Sequence, residues 1–133
     1  MRIPTLALAL SIPLALSSCV AVAGGVAAVV LSQEMLDNNT YVSNINQDVK
    51  AVWPTVKVFM ADTSLEMIEI DEQARTVKAK IDGSNVIVGI EAYDMDLTKM
   101  RVSARRYGVN DGEMARIVME RLHRRIESAA GSY

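Results

Sequence analysis

The clearest signal in this chain is a change of hydrophobic period. Over residues 47–61, Val49, Val52, Trp53, Val56 and Met60 recur at three- and four-residue spacing. That spacing predicts one buried face of a helix, with Asn46 as its N-cap. Pro54 lies inside the stretch and deletes one backbone donor, so a kink or a late start is expected. The period then drops to two. Residues 65–70 are rich in apolar side chains, and Asp71-Glu72-Gln73-Ala74 reads as a turn. In residues 76–82, Val77, Ala79 and Ile81 alternate with Thr76, Lys78 and Lys80, the pattern of a half-buried strand. Asp82-Gly83-Ser84-Asn85 predicts a hairpin turn. Residues 85–93 place Val86, Val88, Ile90 and Ala92 on one side. After Asp94-Met95-Asp96, residues 98–106 do the same with Met100, Val102 and Ala104. Helical spacing returns over residues 110–128 in Met114, Val118, Leu122 and Ile126, where Asn110 and Glu113 suggest a capping box.

The predicted order is therefore α-β-β-β-β-α. The expected fold class is α+β: a two-layer sandwich in which a four-stranded antiparallel meander carries both helices on one face. Residues 47–128 form this domain, and 129–133 are a tail. Upstream, residues 32–46 are polar and aperiodic, with Asn38-Asn39-Thr40 and Asn44, and read as a linker. Residues 20–31 hold mostly Ala, Val and Gly without a charge, a tether expected against a bilayer surface or against copies of itself. The start of the chain has Arg2, an apolar run over residues 6–16 and then small residues, the layout of a secretory signal. That run falls short of the roughly 20 residues needed to cross a hydrocarbon core of about 30 Å. Pro4 and Pro13 also oppose a regular helix there.

Leu16-Ser17-Ser18-Cys19 resembles the bacterial lipobox: an aliphatic residue, two small residues, then the cysteine that receives lipid before cleavage. The resemblance implies that residues 1–18 are removed as a signal peptide and that Cys19 becomes a lipidated first residue. Cys19 is the single cysteine, so no internal disulfide can form, and lipidation gives a lone exported thiol a role. Val20 in the following position implies, by the same resemblance, an outer-membrane anchor facing the periplasm. Two other outcomes fit the same residues. Cleavage after Ala21-Val22-Ala23 would release a soluble protein starting at Gly24. The uncharged stretch from Arg2 to Glu34 could instead stay uncleaved as a signal anchor.

Composition narrows the partners. Fourteen Lys and Arg against 16 Asp and Glu leave a net charge of −2, which gives no basis for general nucleic-acid binding. The length of 133 residues suits one domain plus a tether. Catalytic groups are sparse. The one histidine, His123, lies between Arg121 and Arg124-Arg125, where a cation suits a helix C-terminus, and no motif supplies it with a nucleophile. Asp94 and Asp96 have no Ca²⁺-loop pattern around them, so no metal is expected, and no cofactor either. The methionines stand at core-like positions rather than in a metal-binding cluster. What remains is the polar side of the sheet. Alternation turns Lys78, Lys80, Arg101 and Arg105 outward, beside Ile87 and Tyr93, with Glu91 as the main acidic counterweight. Such a face can bind an acidic partner, and an ordinary solvated sheet protected by Lys and Arg has the same pattern.

The lipobox cysteine, the Gly/Ala-rich stretch, the helix containing Val52-Trp53, the strands and a closing glycine-then-helix segment together resemble small bacterial lipoproteins with a domain of unknown function. Where that family often has a second glycine before the last helix, this chain reads Arg106-Tyr107-Gly108-Val109-Asn110-Asp111. The family brings no known activity. The expected function is a non-enzymatic envelope lipoprotein that binds an envelope protein or acidic envelope component, or supports assembly. The alternative is a small-ligand or lipid-binding module using a cleft between helices and sheet.

Overall fold

A computed structural model describes residues 30–131. The expected signal segment, the expected lipidation at Cys19 and the expected tether up to residue 29 lie outside the described residues. Along those residues the elements run β1 (Val30–Asp37), β2 (Thr40–Ile45), α1 (Val49–Thr63), β3 (Glu69–Asp71), β4 (Thr76–Ile81), β5 (Ser84–Asp94), β6 (Leu97–Arg106), β7 (Val109–Asn110) and α2 (Gly112–Ala130). One seven-stranded antiparallel sheet has the order β1-β2-β6-β5-β4-β3, and β7 extends the hairpin from β6. Both helices pack on the same side of it, against alternate residues of the strands.

The four-stranded meander of order α-β-β-β-β-α is thus incorrect. Two strands precede α1, and a two-residue β7 precedes α2. The stretch read as a linker, residues 32–46, builds most of the β1–β2 hairpin. Its polarity misleads because β2 turns only Tyr41, Ser43 and Ile45 toward the helices, and the middle one is a serine. β1 is an edge strand whose residues 33–36 are exposed, so it has no need of an apolar alternation. β2 lies beside β6, with Tyr41 opposite Val102 and Ser43 opposite Met100, so β6 is central and not the last strand of a meander. The apolar stretch at 65–70 yields only the short β3. Leu65 and Met67 are exposed in the connection after α1, where the Ser64 hydroxyl bridges the carbonyls of Glu66 and Lys80.

The helices start later than the spacing suggests. Asp48 caps α1, accepting from the Lys50 amide at 3.0 Å, so Asn46 is not the cap. Asp111 caps α2, accepting from the Met114 amide at 3.1 Å, while Asn110 belongs to β7. Asp111 also accepts from the Ser84 hydroxyl, and the Arg106 guanidinium lies 3.9 Å away. The Ser84 and Met114 bonds, with Arg106 assisting, hold its carboxyl below the ordinary range.

Two tight turns close the hairpins by the same geometry. Asp82 and Gly83 have φ of 48° and 84°, and Tyr107 and Gly108 have 51° and 74°. Positive φ at both central residues matches the twist of the flanking strands, and glycine adopts it without steric cost. The β1–β2 turn is fastened from two sides. The Asn39 side chain donates to the Ala104 carbonyl at 3.3 Å, and the Ala104 amide donates back to Asn39 at 3.1 Å. On its other side, Gly112 lies so close that a Cβ there would collide with the Asn38 carbonyl oxygen.

Candidate functional site

With the helices on one side, no element among the described residues covers the other face of the sheet. Lys78, Lys80, Tyr93, Arg101 and Arg105 all stand on it and are exposed, as the alternation predicts. They do not form one basic cluster. Lys80 and Arg105 flank Asn85 in one cross-strand row, while Arg101 lies between Gly89 and Val42 in another. Lys78 is between Glu69 and Ile87. Lys80 also approaches Glu66 at 3.9 Å. Among the described residues, Lys78, Arg101 and Arg105 form no ion pair.

Several residues of this face escape the sequence reading. Lys99 belongs to it, opposite Glu91, and its ammonium lies 5.5 Å from the centroid of the Tyr93 ring. The alternation around Met100 carries the signal for Lys99. Glu34, Leu36 and Val42 are absent from that reading because β1 and β2 are absent from it, and Glu69 because β3 is displaced. The face therefore mixes both charge signs with apolar patches, and Glu91 is one of several acidic counterweights. Two shallow hollows share Lys99 and Arg101 as a common wall. One, of about 130 Å³, is completed by Gly89, Ile90 and Glu91. The other, of about 290 Å³, adds Glu34, Met35, Leu36, Val42 and Asn44. A wider depression of about 500 Å³ lies at the start of α2, between Arg106, Tyr107, Val109 and Ile117.

His123 is not a solvated cation at the end of α2. Its ring is buried between α2 and β2, with Nε2 2.9 Å from the Ser43 hydroxyl. That distance suits activation of a nucleophile. Ser43, however, is only 1% exposed, so a substrate cannot reach its oxygen. The pair joins two elements. Burial pushes the His123 pKa below its ordinary value of 6.5, and Glu120 one turn earlier only partly opposes this. The folded state thus holds His123 neutral near pH 7. As pH falls below about 6.5, the unfolded chain takes up a proton that the folded chain resists. The stability contributed by neutral His123 should be complete above that pH and be lost as pH falls to and through the lower folded value. Urea midpoints between pH 7.5 and 5 should therefore decline less steeply for His123→Gln than for the wild type. Parallel declines would mean that His123 titrates alike in both states.

Among the described residues, no group of three or more His, Cys, Asp or Glu side chains gathers as metal ligands would. No described helix is long and apolar enough to cross a membrane. Fold and site together define a small domain with an open-faced antiparallel sheet, one side packed by two helices and the other carrying mixed charge. The chain belongs to the DUF3568 family, a protein family of unknown function, whose profile matches residues 3–128. Comparison with curated proteins gives no significant match.

Proposed function

We propose that this chain is a non-enzymatic lipoprotein of the bacterial cell envelope, held by lipid on Cys19 in the outer membrane and facing the periplasm, and that its uncovered sheet face binds an acidic protein of the envelope. The observation that carries the binding half is that face itself: among the described residues Arg101 and Arg105 stand exposed without ion pairs, diagonal to Ile87, and Lys99 on the same face lies against the Tyr93 ring. Arginine next to aromatic and aliphatic side chains is the composition of protein interfaces. The anchoring half is supported by Leu16-Ser17-Ser18-Cys19 and the absence of any other cysteine. A non-enzymatic role agrees with the one histidine being engaged by a buried serine. The ligand-cleft alternative has less support, because the space between helices and sheet is filled by the core side chains of both.

Two outcomes test the proposal. The expressed chain should take up labelled palmitate, and Cys19→Ser should abolish the uptake. A mutant that still labels, or a mature amino terminus at Gly24, would remove the anchor. Second, replacing Lys78, Lys80, Arg101 and Arg105 together by Gln should change stability little, since substitutions at exposed positions stay within roughly ±0.5 kcal/mol each. The same variant should lose crosslinking to its envelope partner, and wild-type crosslinking should weaken with salt. Crosslinking that survives all four substitutions would leave the face as plain surface.

A further inference from the structure

We infer that the two hollows flanking Lys99 and Arg101 act as one bipartite site for a protein segment that presents a carboxylate and an aliphatic side chain about 10 Å apart, two strand spacings. The inference rests on the uncovered face being the binding surface, and names the spot on it and the chemistry it takes.

Gly89 is the starting point. It stands in the interior of β5, directly opposite Arg101 on one side and Thr76 on the other. Glycine weakens a strand interior and needs a reason there. The reason is not backbone conformation, because the positive-φ glycines are Gly83 and Gly108. Crowding is not the reason either, since a Cβ at Gly89 would meet only the Thr76 hydroxyl, at an ordinary 3.8 Å. What the missing side chain provides is the hollow beside Arg101. Across β6, the second hollow has an apolar rim in Leu36, which is 62% exposed, and Val42.

The wall between them supplies the charge. The Arg101 guanidinium has no ion-pair partner among the described residues. A guanidinium offers a carboxylate two parallel donors. Lys99 adds a second positive charge and is drawn toward Tyr93. An acidic side chain seated over Gly89 reaches Arg101, and an aliphatic side chain further along the same segment covers Leu36 and Val42. The occupant is a protein segment and not an anionic bilayer. Glu34, Glu69 and Glu91 share the face, so a negative surface laid across all of it is opposed by them. A carboxylate seated over Gly89 has Glu91 beside it, offset by Lys99 directly across the ladder, while Glu34 and Glu69 stand on β1 and β3, outside that hollow.

The test uses the full chain and a fluorescent, terminally blocked, proline-rich nonapeptide with glutamate and leucine three residues apart, which the polyproline II helix sets on one face about 9 Å apart, followed by anisotropy. Saturable binding is expected. A glutamine twin of the peptide and an Arg101→Gln protein should each bind about tenfold more weakly, the loss of one charge-assisted contact. Gly89→Val should weaken binding at least as much while leaving the melting temperature equal or higher, because valine suits a strand. Gly89→Ala, which fills less of the hollow, should weaken it less. Equal binding of both peptides, unchanged binding by Gly89→Val, or no binding of either peptide would overturn the site. So would preference for phosphatidylglycerol vesicles over the peptide. If the fourfold Gln variant loses its envelope partner while Gly89→Val keeps it, this site fails and the wider face stands.

Discussion

Replacing Val102 by aspartate should abolish cooperative folding, and replacing its neighbour Arg101 by aspartate should not. Val102 is fully buried in the central strand β6, with Val88 opposite on one side and Tyr41 on the other. A carboxylate placed there has no cation within the core to pair with. It must either ionise in an apolar medium or remain protonated, and the effective penalty for an unpaired buried ion is several kcal/mol. Domains of this size have only about 5–15 kcal/mol of stability in total. Arg101 points the opposite way, and its substitution should change the unfolding free energy by no more than a surface change does, about 0.5 kcal/mol. Circular dichroism and urea titration of the two variants decide the matter. A folded Val102→Asp beside an unfolded Arg101→Asp would mean that the strand is turned over, since a one-residue slip exchanges the faces.

A chain beginning at Gln47 should also fail to melt as one unit, whereas a chain beginning at Val30 should melt like the full protein. The shorter chain lacks β1 and β2, and with them every partner that β6 has on its β2 side from Thr98 to Ser103. The inward side of β6 loses its neighbours Tyr41 and Ile45. Burial of Ile45 alone, which is complete, contributes roughly 1.5–3 kcal/mol. His123 loses the Ser43 hydroxyl and is left as a polar group at a stripped interface. The central strand becomes a bare edge, open to pairing with other chains. Thermal melts with size-exclusion chromatography should show a broad transition and association for the shorter chain. A sharp monomeric melt within a few degrees of the full protein would show that the hairpin is an accessory and not part of the cooperative unit.

Both experiments turn on the division between what was legible in the residue order and what was not. Local periodicity determined α1, α2 and the strands β4 to β6, together with most of their inward sides. Val77, Ala79 and Ile81, then Val86, Val88 and Ile90, then Met100, Val102 and Ala104 are all buried. Ala92 is the exception, exposed where β5 reaches its bulge beside the Asp94–Leu97 turn. The same alternation turned Lys78, Lys80, Tyr93, Arg101 and Arg105 outward. This information is local because the period of burial follows directly from the period of the backbone, 3.6 or 2 residues.

Tertiary structure alone decided the rest. A strand can bury a serine if a distant residue satisfies its hydroxyl, and β2 does so with Ser43 against His123 on α2. No pattern within residues 40–45 announces that partner, so the segment looks like a polar linker. With β1 and β2 unseen, Leu36 and Val42 could not be placed beside Arg101, and the significance of Gly89 depended on which residue faced it across the ladder. Side-chain period reports which face of an element is buried. Which element covers it, in what register, is set by pairings between residues far apart in the chain, where each position is satisfied by groups its own neighbours do not contain.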